Sequence, residues 1–441
     1  MQLHPALKSR VPTEEIPVIQ YEKHTLPNGL VVVANHDVSS QLAAVNLLYR
    51  VGSRNEEPGR TGFAHLFEHL MFRGTKHIPD YDIPVQMASG ENNAFTNSDY
   101  TDYYVTLPKD NIETALWLES DRMTGLDINA KNLDGEKKVV LEEYNQRYLN
   151  QPYGDLWLLL RPLAYKVHPY RWPAIGRSPQ EIEKATLADV CAFYKAYYNP
   201  SNAILCVSGD IPPDEVFRLA STWFGSLSAN FRKVKPLLPE PPQTEARRLE
   251  VVRDVATPVI TIAFRMGGRT DPQFYRCDVI SDLLSGGTSS RLYRRLVQER
   301  RLFSSVNAYV SGEIDPGLFV VSGYLLPEVT MAQAEEALWE EFDRLKNESV
   351  GDYELEKVKN KFEANTLFGE LNVMNKALNL CFYEMLGDIS LVNRETAIYR
   401  SVTAANIAAT AAEIFTPERS STLLYHAAGG RQTNRNEDEV E

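Results

Sequence analysis

A chain of 441 residues, 43% hydrophobic and 24% charged, has the composition of an ordinary globular protein and room for two domains with sizeable cores. Its 46 basic against 59 acidic side chains leave a net charge of −13, which repels phosphate backbones and argues against a nucleic-acid partner. No apolar run approaches the length of a membrane span. The opening Met1-Gln2-Leu3-His4-Pro5 lacks an apolar signal segment, so the expected compartment is cytoplasmic for the chain as given and periplasmic if a leader has been removed.

Residues 21–25 and 30–34 read as strands flanking Pro27-Asn28-Gly29, a hairpin turn signal. Residues 42–51 form another strand, followed by a polar loop over 52–61. The stretch Gly62-Phe63-Ala64-His65-Leu66-Phe67-Glu68-His69-Leu70-Met71-Phe72 then has helical periodicity. His65, Glu68 and His69 share one face of that helix, and apolar side chains cover the rest. Burying two imidazoles and a carboxylate together is costly unless something pairs with them, and a divalent cation does so well. Two His one turn apart can hold a zinc ion, with the carboxylate between them placed to act on water. His-x-x-Glu-His inverts the commoner zinc-protease order and is the inverzincin signature. The bland alternative is a core helix with satisfied polar residues.

Further along, residues 92–96 and 102–107 read as two strands joined by a turn, residues 112–123 and 135–149 as helices, 187–197 as an amphipathic helix, and 203–208 as a buried strand. A zinc site needs a third protein ligand and an open position. In Gly135-Glu136-Lys137-Lys138-Val139-Val140-Leu141-Glu142-Glu143-Tyr144, Glu136 and Glu143 are seven residues apart and share a face with Val139 and Val140, while Glu142 points about 100° away. Glu143 is the expected third ligand, and Glu136 an outer carboxylate that holds an imidazole or Glu143 itself.

Pro236, Pro239, Pro241 and Pro242 fall among polar residues, a semi-rigid linker. The expected division is an N-terminal domain over 1–228, the linker over 229–246, a C-terminal domain over 247–430 and a polar, disordered tail over 431–441. The second half echoes the first: Tyr49-Arg50-Val51-Gly52-Ser53-Arg54 returns as Phe264-Arg265-Met266-Gly267-Gly268-Arg269, 215 residues on. At the same offset His65, Glu68 and His69 fall on Ile280, Leu283 and Leu284, so packing alone does not ask for ionisable residues there. Cys191, Cys206, Cys277 and Cys381 stand apart in apolar surroundings and read as core thiols; no Cys-x-x-Cys pair exists. His24, His36, His77, His168 and His426 read as surface or loop residues, and Phe193-Tyr194 and Tyr197-Tyr198 as core.

Arg60-Thr61-Gly62, the His65-to-His69 core, Phe72-Arg73-Gly74-Thr75 and Glu143 together resemble the pitrilysin/insulinase metallopeptidases, in particular the smaller members that include mitochondrial processing peptidase and its bacterial relatives. Asn93-Ala94-Phe95-Thr96, Tyr197-Tyr198-Asn199-Pro200, Gly209-Asp210 and Ser289-Ser290-Arg291-Leu292-Tyr293 extend the resemblance over roughly residues 20–425. It implies an α+β fold of two homologous domains, each a mostly antiparallel sheet backed by helices, that forms half of a clam-shell chamber. It further implies one Zn²⁺ per chain on His65, His69 and Glu143, Glu68 as general base, a substrate-binding edge strand at Asn93 and Ala94, and small or unstructured peptides as substrates.

One feature departs from that family. Its active members carry an Arg and a Tyr seven residues apart in a C-terminal half, and alignment through Leu296 and Leu302 puts Val297 and Ser304 there. The expected remedy is a homologous partner subunit bearing the pair, a heterodimer, with a homodimer as the other arrangement; Arg294, Arg300 or Tyr309 would stand in if the register slips by a turn. The rival reading is a non-catalytic core-type structural or peptide-binding subunit. Neither a Gly-x-Ser-x-Gly elbow nor a phosphate-cradling glycine loop occurs.

Overall fold

A computed structural model describes residues 18–230 and 236–428. The first sheet is built from β1 (Glu22–Thr25), β2 (Val31–His36), β3 (Leu42–Tyr49), β4 (Glu91–Thr96), β5 (Thr101–Pro108) and β6 (Ala203–Gly209), in the order β1-β2-β6-β3-β5-β4. The second contains β7 (Arg247–Arg253), β8 (Val259–Arg265), β9 (Phe303–Val310), β10 (Leu318–Leu325) and β11 (Ser420–Ala427), in the order β7-β11-β8-β10-β9. Each sheet has one parallel pair, β2 with β6 and β7 with β11, and is otherwise antiparallel. Apart from β1, the two sheets therefore have the same topology, and β8 stands where β3 does. The echo between the halves is an architectural repeat.

The hairpin signal at Pro27-Asn28-Gly29 is realised. Gly29 takes φ 87°, a left-handed conformation open to glycine at little cost, and donates to the Leu26 carbonyl at 2.8 Å. Each sheet buries one face in its own half. Val45, Leu47, Tyr103 and Val105 meet the helices Phe63–Leu70 and Ile112–Gly125, while Ile262, Phe264 and Phe319 meet Pro272–Ser285, Met331–Asn347 and Ala404–Ile414.

The central strands are apolar on both faces, as the buried runs of β6 and β8 show, so the second face of each sheet also needs a cover. The two halves exchange covers. Ala377, Leu380 and Cys381 of the helix Val373–Met385 lie on Val33, Ala44, Leu48 and Ile204 of the first sheet. Leu160 and Ala164 of the helix Leu156–Ala164 lie on Ala263, Val320 and Leu423 of the second.

Several expectations need correcting. His168 is buried, bonded to Asp315 at 3.2 Å and accepting from the Tyr170 amide, because it sits where the halves meet. Val139 is 42% exposed although it lies beside Glu136 and Val140, since the helix buries a narrow stripe through Leu133, Glu136, Val140 and Tyr144. Cys191 is half-buried, whereas Cys206, Cys277 and Cys381 are core thiols. The expected tail over 431–441 lies outside the described residues. Among the described residues no helix is long and apolar enough to cross a membrane.

Candidate metal centre

The helix Phe63–Leu70 begins at Gly62, whose φ of 88° is left-handed and whose missing side chain leaves room for Ile182; a methyl there would sit 2.5 Å from Ile182 Cδ1. Glycine cannot cap the helix. Glu56 does so from the preceding loop, one carboxylate oxygen accepting from the Gly62 amide and the other from the Ala64 amide, both at 2.9 Å. Glu181 accepts from the Thr61 amide and hydroxyl at 2.9 and 2.7 Å. On the buried side Phe67 lies among the rings of Phe193, Tyr194 and Tyr198, at 5.4, 6.0 and 5.0 Å. The start and the phase of the helix are thus fixed, and its polar face turns towards the helix Ala130–Tyr144.

That second helix is capped by Asn129, whose side chain accepts from the Asn132 amide at 2.9 Å. Between the two helices His65, His69 and Glu143 form a group whose ligand atoms all lie within 4.8 Å of one another. Glu143 Oε2 is 3.3 Å from His69 Nε2 and 3.6 Å from His65 Nε2. Ligand atoms about 2.05 Å from a tetrahedral zinc stand about 3.3 Å apart, so these separations suit such an ion with small adjustment. The donor set, two imidazole nitrogens and one carboxylate oxygen, leaves the fourth position open. Glu136, 2% exposed, lies behind it with Oε2 3.4 Å from His69 Nδ1, and its other oxygen is bound by Arg73. Arg147 sits 2.8 Å from Glu143 Oε1.

Electrostatics divide the two imidazoles. Burial pushes His65 down to about 4, with His69 adding to the effect against the pull of Glu143. His69 is also penalised by burial, but hydrogen bonds to Glu136 and Glu143 outweigh this and raise it to about 9. The bond from His69 holds Glu143 below the usual carboxylate range, and bonds from His69 and Arg73 depress Glu136 despite its burial. Glu68 is pushed up by burial, against a hydrogen bond from the Thr96 side chain. Glu68 lies between His65 and His69 on the same helix, where a carboxyl group is placed to exchange a proton with water held at the site.

Thr96 ends β4, the outermost strand of its sheet. Asn93 is exposed on that strand, and its side-chain oxygen accepts from the Ala94 amide at 2.8 Å. Far from these residues in the chain, Val297 packs on the second core and the Ser304 hydroxyl donates to the Tyr324 carbonyl at 3.3 Å. Arg294 lies 3.9 Å from Glu299, Arg300 pairs with Glu340, and the Tyr309 ring packs 6.2 Å from Trp157. Sequence reasoning overlooked Glu56 and Arg147 and gave Arg73 no role of its own. The two arginines each stand four residues after a ligand, the helical spacing that would have found them.

An α+β fold of two like halves, with an inverted His-Glu-His helix facing a glutamate helix, defines the class. Residues 31–154 match the family described as Insulinase (Peptidase family M16), and residues 184–362 match Peptidase M16 inactive domain. The chain is 32% identical over 346 residues to Zinc protease PqqE of Helicobacter pylori, covering 77% of this chain and 78% of that protein. A crystal structure of a protease from Helicobacter pylori superposes with a TM-score of 0.89 at 29% identity, over 93% of this chain and all of the other. The periplasmic protease PqqL of Escherichia coli has the same fold, with a TM-score of 0.75 at 19% identity; the match spans 92% of this chain but 47% of PqqL. The chain belongs to peptidase family M16.

Proposed function

We propose that this chain is the zinc-bearing subunit of an endopeptidase that hydrolyses small or unstructured peptides within a two-subunit chamber. The observation that carries the reading is the convergence of His65, His69 and Glu143, with Glu68 on the same helix as the two imidazoles. The name of the relative, a zinc protease, supports zinc as the metal. Zinc, when bound, supplies a Lewis acid and acidifies water.

The remaining steps belong to the chain's own side chains. His65, His69 and Glu143 hold the ion, and Glu136 fixes the orientation of the His69 ring through Nδ1. An extended peptide adds to β4 along Asn93 and Ala94, its backbone taking the amide that the Asn93 side chain now occupies. Glu68 takes a proton from the attacking water and returns it to the leaving amine. A homologous partner subunit supplies the Arg and Tyr absent at Val297 and Ser304. That PqqL is about twice as long as the stretch matched here supports a two-part assembly.

The test is cleavage of a long quenched peptide by the zinc-loaded chain, with and without its homologous partner. Cleavage only in the mixture, lost in Glu68→Gln with peptide binding kept, is the expected result. Cleavage by the chain alone refutes the partner requirement. Binding without any cleavage, unaltered in Glu68→Gln, refutes the enzyme in favour of a peptide-binding subunit.

A further inference from the structure

A cation already stands on the rim of the ligand set. Arg147 lies in the π-helical turn Asn145–Leu149, closed by the Asn150 amide on the Asn145 carbonyl at 2.8 Å, directly after the helix that carries Glu143. Such turns interrupt α-helices most often at functional sites. This one is held firmly: a methyl at Gly154 would sit 2.5 Å from the Arg147 carbonyl oxygen and 2.8 Å from that of Tyr148.

Glu143 is shared between two duties. Its Oε2 faces His65 and His69, while its Oε1 meets the Arg147 guanidinium at 2.8 Å. The guanidinium is therefore one carboxylate away from the ligand nitrogens, and its field reaches both His65 and Glu68. Its side chain is nevertheless 70% exposed, and a guanidinium has five N–H donors, of which one carboxylate contact occupies few. Arg73 is placed differently, bound to Glu136 on the far side of His69.

The turn that carries Arg147 borders a cavity. Tyr148, the next residue, lines a cavity of about 470 Å³ with Thr96, Asn97, Trp157 and Arg161. Thr96 ends β4 and its hydroxyl donates to Thr101 at 3.3 Å, so a peptide extended along β4 runs beside the cavity that the π turn also borders.

We propose that Arg147 is a further catalytic residue: anchored by Glu143 Oε1, it donates a hydrogen bond to the scissile carbonyl oxygen as negative charge builds on it. This rests on the peptidase reading. It gives the chain a carbonyl donor of its own, beside any contributed by a partner subunit. The charge-assisted bond is made at full strength only in the transition state, so it acts on kcat rather than on KM.

The experiment uses the zinc-loaded chain with its homologous partner, in wild-type, Arg147→Gln and Arg147→Lys forms. Three quantities are measured: zinc affinity by chelator competition, kcat and KM on the quenched peptide, and binding of a phosphinic peptide that mimics the tetrahedral state. The expected result for Arg147→Gln is zinc affinity within about threefold, KM within a few fold, and kcat lower by roughly 100-fold or more. Phosphinic-peptide binding should weaken by a similar factor, and Arg147→Lys should recover part of both. A zinc affinity that falls in step with activity would overturn the proposal, making Arg147 only a brace for Glu143. A raised KM at unchanged kcat, or no change at all, would overturn it too. A wild-type complex that neither cleaves the peptide nor binds the phosphinic mimic removes the peptidase reading, and this proposal with it.

Discussion

Replacing Glu56 by Ala tests whether the ligand helix is held from outside itself. Gly62 has no side chain with which to cap, and the Gly62 and Ala64 amides both point at Glu56, at 2.9 Å. Glu56 is 6% exposed, so removing its carboxylate strands two buried donors. Each such loss costs about 1–3 kcal/mol, which gives roughly 2–6 kcal/mol, a large part of the 5–15 kcal/mol by which domains are commonly stable. Glu56→Gln keeps the shape and one acceptor but turns an NH₂ group towards the other amide, so its loss should fall between wild type and Ala. Urea unfolding followed by tryptophan fluorescence is a suitable readout, because one of the five indoles, the buried Trp172, donates to the Ser53 carbonyl at 2.9 Å, three residues before Glu56. Zinc affinity should fall in the same order, since the caps fix where His65 and His69 point. An Ala variant with an unchanged midpoint and unchanged zinc affinity would refute the reasoning.

Other perturbations address separate links. Glu136→Ala should lower zinc affinity about 10–100-fold by releasing His69 Nδ1, which chelator competition would detect; an unchanged affinity removes Glu136 from the site. Asp99 is 4% exposed and accepts from the Tyr170 hydroxyl at 2.5 Å and the Ile314 amide at 2.9 Å, with Arg54 at 3.0 Å. Asp99→Ala strands the Tyr170 hydroxyl and the Ile314 amide and leaves Arg54 with Asp315 alone, at 3.3 Å, so it should cost about 2–4 kcal/mol in urea unfolding, and a loss below about 1 kcal/mol would mean that solvent replaces the carboxylate. Burial pushes Asp278 from 3.8 up to about 6, against the hydrogen bond from Tyr399. Its folded pKa is raised, so the neutral form favours folding, and that contribution is full below about 4 and lost as pH rises through about 6. Relative to Asp278→Asn, the wild type should therefore lose about 2 kcal/mol between pH 4 and 6 and less than about 0.5 kcal/mol more by pH 8; a difference flat over this range would show that Asp278 does not titrate there.

What the sequence made legible was whatever periodicity or spacing encodes. The strands of the first sheet, the helix Leu187–Tyr197 and the repeat at Phe264-Arg265 all follow from alternation, amphipathicity or self-similarity within short windows. The grouping of His65, His69 and Glu143 was legible for the same reason, since each helix presents its ligands at a fixed phase. The buried state of His168 was not, because its partner Asp315 is 147 residues away and nothing local marks the pairing. Nor was the exchange of covering helices: neither Leu156–Ala164 nor Val373–Met385 stood out in the sequence, and only the three-dimensional arrangement decides which sheet each one covers. Val139 was misplaced because a seven-residue spacing defines a stripe but leaves its width open.

The exchanged helices bear on how a site in one half can be rigid without a matching site in the other. At the place of the ligand helix, the second half carries Ile280, Leu283 and Leu284, all at most 1% exposed, and gains ordinary apolar burial there. The first half puts His65, Glu68 and His69 at those positions and forgoes that burial, about 1.5–3 kcal/mol for each large apolar side chain. The loss is met from outside the helix, by the Glu56 and Glu181 bonds at its start, the rings around Phe67, and the second half's helix over the far face of the sheet. Asp99 ties the β4–β5 turn to the second half through Ile314, so the edge strand is braced by the half that carries no ligands. The second half thus braces the first, which gives a physical reason for pairing two like halves of which one carries an aliphatic helix at that place.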